Sequence, residues 1–196
     1  MEAKTYFDKK SASYEISRSK ILFHFLTGKE KRIAMQFLHP ESGDTILEIG
    51  AGSGFYTQDL QRQGCDIIAT DVSEKMIHQL QQQGIEAFCV DLRSMNFKHA
   101  FDKILAAGVL EFIPRHEEYF FVLAKHLKKN GDLVLVYPRT NVGGRLYSFY
   151  HNLLHGLSLH ILPLHKLNKM FLRAGLEMKQ TIPASFTSYV IHLKKK

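Results

Sequence analysis

The chain has 196 residues, 45% of them apolar and 23% charged, which is enough apolar material for one substantial core and excludes a disordered or fibrous protein. Its formal charge of +7 is unevenly spread: residues 42–114 hold five Lys/Arg against ten Asp/Glu, whereas residues 115–196 hold thirteen against four. The longest apolar stretch, residues 153–164, is broken by His155, Gly156, His160 and Pro163 and is too short to span a bilayer; Cys65 and Cys89 are too few for a disulfide framework and read as buried thiols of a reducing compartment.

Residues 1–8 lack the basic start and apolar core of a secretion signal, so a cytoplasmic location is expected. Ile21, Phe23, Phe25, Leu26, Ile33, Ala34, Phe37 and Leu38 recur at helical spacing and predict two helices between residue 3 and residue 38, ended by the His39-Pro40-Glu41-Ser42-Gly43 turn. From Asp44 short apolar runs alternate with amphipathic segments: strands at 45–49, 66–70, 85–90, 103–107 and 132–137, helices at 56–63, 73–82 and 117–128. Buried strands alternating with helices predict a parallel sheet covered on both faces. The alternation then breaks. Helices at 145–154 and 165–174 precede strand runs at 176–182 and 186–193, joined through Pro183, Ala184 and Ser185. So short a connection cannot carry a parallel crossover, and an antiparallel pair at one edge is expected.

The first strand ends in Glu48-Ile49-Gly50-Ala51-Gly52-Ser53-Gly54. A glycine-rich turn between a buried strand and a helix lets backbone approach a ligand closely and aims amides at it. The spacing is GxGxG rather than the GxGxxG of dinucleotide enzymes, and Glu48 stands two residues before Gly50. A carboxylate there would repel a pyrophosphate; it suits a ligand with an ammonium and a sulfonium, which S-adenosylmethionine has. Asp71, at the end of the second strand, is placed to accept two ribose hydroxyls, since Ser73 already supplies a cap for the next helix. Asp91 ends the third strand, where it reads either as an acceptor for the adenine amine beside the Leu92 amide or as a turn former.

Taken in order, Glu48/Gly50/Gly52/Gly54, Asp71, Asp91-Leu92, the segment FDKILAAGVLEFI at 101–113 and LKKNGDLVL at 127–135 resemble the class I S-adenosylmethionine-dependent methyltransferases over residues 44–137. Residues 6–15, YFDKKSASYE, are similar to the start of the small-molecule branch with the quinone-biosynthesis, biotin-precursor and magnesium-protoporphyrin methyltransferases, where a tyrosine matching Tyr14 closes over the cofactor. The resemblance implies an α/β, Rossmann-like three-layer sandwich with a seven-stranded, mostly parallel sheet, an antiparallel last strand and helices on both faces. The whole chain, 1–196, is then a single domain: a helical cap at 1–40, a cofactor-binding core at 44–137, and acceptor-side helices with a terminal β-hairpin at 138–196. Cofactor contacts are implied for Tyr14, Glu48, Gly50, Ala51, Gly52, Gly54, Asp71, Val72, Met76, Asp91, Leu92, Ala107 and Phe112. The chain departs from many relatives in having Phe112 where they have His, and Tyr14-Glu15 rather than Tyr-Asp. Phe112 cannot move protons; it can pack near the adenine.

The implied reaction is transfer of a methyl group from S-adenosylmethionine to a small-molecule acceptor by in-line displacement, leaving S-adenosylhomocysteine. Positioning can supply most of that acceleration, and a general base is needed only if the acceptor must first lose a proton. Tyr147, His151 and His155 repeat at intervals of four on one helical face, just after the fifth strand at the carboxyl edge of the sheet; they read as candidate catalytic residues or as packing residues. Arg139, Arg145, Lys166, Lys169 and Arg173 read in three ways: they recognise an anionic group on the acceptor, contact an anionic membrane surface, or are solvated. Ala106-Ala107-Gly108-Val109 stands where DNA amino-methyltransferases carry an Asn/Asp-Pro-Pro-Tyr motif, so DNA is not expected as a partner. An RNA methyltransferase and an NAD(P)-binding oxidoreductase are the alternatives. No His/Cys cluster has metal spacing, and no metal is expected.

Overall fold

Ile46, Leu47, Glu48 and Ile49 are all buried, on both faces of their strand, which is the signature of a central strand in a covered parallel sheet. The computed structural model describes residues 21–156 and 158–196. The first of the two expected amino-terminal helices, Tyr14 and the segment around it lie outside the described residues. The elements run α1 (Ile21–Leu38), β1 (Thr45–Ile49), α2 (Thr57–Arg62), β2 (Asp66–Asp71), α3 (Glu74–Gln82), β3 (Glu86–Cys89), β4 (Phe101–Ala107), α4 (His116–His126), β5 (Leu127–Pro138), α5 (Val142–His155), α6 (Leu164–Arg173), β6 (Leu176–Pro183) and β7 (Ser188–Lys195), with 3-10 turns at Leu92–Ser94 and Leu110–Phe112.

They form one seven-stranded sheet in the order β3-β2-β1-β4-β5-β7-β6. The first five strands are parallel, and β7 runs antiparallel to both β5 and β6. The architecture is the α/β, Rossmann-like sandwich expected from the alternation, with the terminal hairpin slotting its second strand between β5 and the edge strand β6. On one face Ile46, Leu105, Val134, Val136 and Val190 pack beneath Ile33, Ala34 and Leu38 of α1 and Leu60 of α2. Ala69 and Ala87 lie under Ile77 and Leu80 of α3. On the other face Leu47, Ile104, Leu133, Leu135 and Ile191 pack against Phe120 and Leu123 of α4 and Leu167 and Phe171 of α6; the Phe120 and Phe171 rings meet edge-on at 4.7 Å.

Helix α1 is fastened at two points. Lys31 pairs with Asp59 of α2 at 2.7 Å, and Glu30 accepts hydrogen bonds from Ser185, at 3.0 Å, and from Ser188 at the β6–β7 turn. Among the described residues no helix is long and apolar enough to cross a membrane.

Two expectations differ from the structure. The helix expected at 117–128 stops at His126, because Leu127 turns extended (φ −97°, ψ 134°) and pairs with Phe101, starting β5 early. Of the two thiols only Cys65 is buried; Cys89 is exposed, because β3 is an edge strand and three of its four residues face outward or sit at the rim. Burial pushes the Cys65 thiol up, with Asp44 adding to the effect.

Candidate functional site at the carboxyl edge of the sheet

The loop after β1 is held by its own backbone and by the end of β2. The amides of Gly50 and Ala51 both donate to the Thr70 carbonyl, at 2.7 and 3.0 Å, and the Gly52 amide donates to Oδ2 of Asp71 at 3.0 Å. Asp71 Oδ1 accepts the Ser73 amide at 2.9 Å, while the Ser73 hydroxyl caps α3 by accepting from Met76. A carboxylate accepts about four hydrogen bonds in all, so this bracing is compatible with a ribose role. Gly50 sits at φ 68°, and a Cβ there would lie 2.2 Å from Cγ2 of Val109, so the loop after β1 rests directly on the loop after β4. Glu48 is buried beneath the loop and accepts the Thr57 hydroxyl at 2.6 Å.

Asp91 caps the 3-10 turn through the Arg93 amide at 2.8 Å and is gripped by the Arg93 guanidinium, at 2.6 Å from Nη2. The hydrogen bond from that side chain holds the carboxyl below its usual range, against the opposing effect of burial. The turn-forming role is therefore filled, and an adenine contact from Asp91 would share the group with Arg93. Leu92 and Met76 are buried close by in sequence, Val72 and Ala107 are half-buried at the ends of β2 and β4, and Gly108 follows at φ 68°.

Helix α5 is brought onto this edge by two glycines and a cap. Asn141 Oδ1 accepts the Gly144 amide at 3.0 Å, and Asn141 Nδ2 donates to the Phe186 carbonyl at 2.9 Å. A Cβ on Gly144 would overlap the Arg139 carbonyl at 1.5 Å, so only glycine allows the helix to start this close to the end of β5. The docked helix sets Tyr147 and His151 side by side, ring centroids 4.5 Å apart, with His151 edge-on to Phe112 at 6.1 Å. Two of the three candidate catalytic residues thus converge beside Phe112; the side chain of His155 lies outside the described residues.

Sequence reasoning missed two features here. Glu111, in the turn after β4, is fully buried; among the described residues its Oε2 has no hydrogen-bond partner, and its Oε1 is 3.8 Å from where a Gly108 Cβ would be. Burial, partly opposed by its own backbone amide and reinforced by Glu30, pushes its carboxyl up to about 8. The available signal was an acid inside the apolar run Val109-Leu110-Glu111-Phe112-Ile113. The second is the Tyr137 hydroxyl at the end of β5, which lies 3.0 Å from His116 Nε2, donates to the His160 carbonyl at 3.0 Å and accepts the Leu162 amide at 2.9 Å. It ties the segment after α5 to the sheet. Burial, with His160 adding to it, holds His116 down to about 4, so its imidazole is neutral at physiological pH.

Fold and glycine-rich loop together resemble those of the class I, S-adenosylmethionine-dependent methyltransferases. Residues 47–135 match the family described as "Methyltransferase domain". The biotin biosynthesis bifunctional protein BioHC of Cellvibrio japonicus is 27% identical over 135 residues, 65% of this chain and 27% of that protein. The mitochondrial ubiquinone biosynthesis O-methyltransferase of Schizosaccharomyces pombe is 27% identical over 103 residues, 48% of this chain and 38% of that one. The chain therefore spans well under half the length of these two curated relatives. Among solved structures, magnesium protoporphyrin IX methyltransferase from Synechocystis with bound S-adenosylhomocysteine shares the fold at a TM-score of 0.79, with 15% identity over 98% of both chains.

Proposed function

We propose that the protein transfers a methyl group from S-adenosylmethionine to a small-molecule acceptor of partly apolar character. The observation that carries the reading is the bracing of the GxGxG loop by Asp71, at the carboxyl edge of the sheet, above the buried carboxylate of Glu48. Three glycines at positive φ, 68°, 55° and 85°, let the loop backbone approach a ligand closely, and the carboxylate below disfavours a pyrophosphate.

In this reading the loop at Gly50, Ala51, Gly52 and Gly54 and the Asp71 carboxylate hold the cofactor's ribose and amino-acid ends. Val72, Met76, Leu92, Ala107 and Phe112 surround its adenine with apolar surface, beside Asp91, and Tyr14 covers it. When bound, S-adenosylmethionine supplies an electrophilic methyl group on a sulfonium that becomes neutral on transfer. Tyr147 and His151 orient the acceptor, and His151, Tyr147 or His155 takes a proton from an acceptor hydroxyl or ammonium where one must leave.

Calorimetry of S-adenosylhomocysteine and of NADH against the whole protein, repeated with Asp71→Ala, tests the reading. Micromolar binding of the first ligand alone, weakened by the substitution, supports it; preference for NADH overturns it. Transfer of labelled methyl to panels of phenols, carboxylates and amines then identifies the acceptor atom.

A further inference from the structure

Helix α5 has two faces of different character. Tyr147 and His151 turn inward to Phe112, whereas Val142, Leu146, Phe149, Tyr150 and Leu153 are each between 53% and 67% exposed. At helical pitch these five side chains fall within an arc of roughly 100° on the side away from the site. A continuous exposed apolar stripe of this kind marks an interaction surface rather than ordinary scatter. Phe186, 63% exposed, extends it, since its ring stands against Gly143 at the start of the helix.

The surrounding charge decides what covers the stripe. From residue 133 to residue 176 the chain holds no Asp or Glu; of the cations in that range Arg173 is taken up by Glu117 at 3.1 Å and Arg139 lies over the Tyr189 ring, so the charge at the stripe rests on Arg145. Arg145 is exposed and borders the stripe, one residue from Leu146 and one turn from Phe149. Two copies meeting face to face through this helix would set like charges against each other, with no carboxylate in the segment to pair them. Anionic headgroups complement the same surface. At 14 residues, about 21 Å, the helix is short for a span but suited to lying in the plane of a bilayer interface.

We propose that α5 docks flat on an anionic lipid bilayer, its apolar stripe entering the boundary between headgroups and acyl chains and Arg145 pairing with lipid phosphate. The docking stands apart from the methyl-transfer reading. Its consequence rests on that reading: the inward face of the same helix, with Tyr147 and His151, puts the site directly behind the membrane contact, where an acceptor dissolved in lipid can reach it.

Flotation of the whole protein with vesicles of phosphatidylcholine alone, or mixed with phosphatidylglycerol, is the test. Wild type is expected to float with the anionic vesicles and to be released by high salt. A triple variant, Leu146→Ser with Phe149→Ser and Leu153→Ser, lowers the partition coefficient at least about tenfold, and Arg145→Glu lowers it about fivefold. All four positions are exposed, so circular dichroism and S-adenosylhomocysteine binding report that the variants remain folded. Wild type that stays with the free protein, or a folded triple variant that floats like wild type, overturns the proposal. So does a wild-type dimer in light scattering that the triple variant turns into a monomer without any vesicle binding, because a second copy then covers the stripe. Failure of wild type to bind S-adenosylhomocysteine sinks the methyl-transfer reading instead and leaves the flotation result standing.

Discussion

The carboxylate of Asp71 at the end of β2 accepts the amide of Gly52 in the loop after β1, 3.0 Å away, and so couples two neighbouring strands at the edge where ligands of open α/β sheets bind. One side chain thus shapes the loop that the proposed cofactor would meet.

Asp71→Ala should therefore cost more than a surface contact. It removes the charged acceptor of the Gly52 and Ser73 amides together with the proposed ribose partner. Hydrogen bonds to a charged group contribute about 1.5–3 kcal/mol each, so S-adenosylhomocysteine affinity should fall between about tenfold and about a thousandfold by calorimetry. Asp71→Asn, which keeps one acceptor oxygen, should fall between wild type and Asp71→Ala.

Gly50→Ala tests the contact between the loops after β1 and β4. The new methyl would sit 2.2 Å from Val109 at a φ of 68°, combining a steric clash with a conformation that L-residues avoid. A loss of about 2 kcal/mol or more in chemical denaturation is expected. Adding Val109→Ala should restore the steric part but not the backbone part, giving a favourable coupling energy in a double-mutant cycle.

Glu111 gives the stability a pH dependence whose sign follows from its raised carboxyl. The folded state holds the proton up to about 8, whereas the unfolded chain releases it near the ordinary 4.5. Stability from this group is therefore complete below the lower value and is lost as pH rises through the higher one. Glu111→Gln keeps the volume and cannot ionise. Urea midpoints measured from about pH 5 to about pH 9 should decline for wild type and decline less for the variant; equal slopes would show that the carboxyl does not stay protonated.

His116 acts in the opposite sense. Its imidazole is held down to about 4 against an ordinary 6.5, so its contribution is present above the ordinary value and is lost as acid drives pH down through the lower one. His116→Phe should flatten that acid limb, as read by thermal melts from about pH 7 down to about pH 4.

Tyr137→Phe removes the hydroxyl that serves both His160 and Leu162. The part-buried carbonyl and amide left behind should cost about 1 kcal/mol, and amides around Leu162 should exchange faster with deuterium while those of β4 do not.

Much of this molecule was readable from local pattern. The β1 boundaries, the Ser73 cap, the glycine loop and the short link that makes the last strands antiparallel are all encoded within a few residues, because hydrophobic period and turn chemistry act at short range. The position of Asp71 was readable for the same reason, as the last residue of an apolar run.

Other features depend on partners distant in the chain, and no local pattern announces them. Whether a thiol at the end of a strand is covered depended on β3 being an edge strand, which exposes Cys89. Whether Tyr147 and His151 face the site or the solvent depended on the close start of α5 against Arg139, which turns their side toward Phe112 and leaves Leu146 and Phe149 outside. Composition and spacing by themselves determined most of the elements, their order and the glycine turn after β1. Only the tertiary structure decided which polar groups are buried, as with Glu111 and His116, since burial is a property of what long-range packing brings to a side chain and not of its neighbours in sequence.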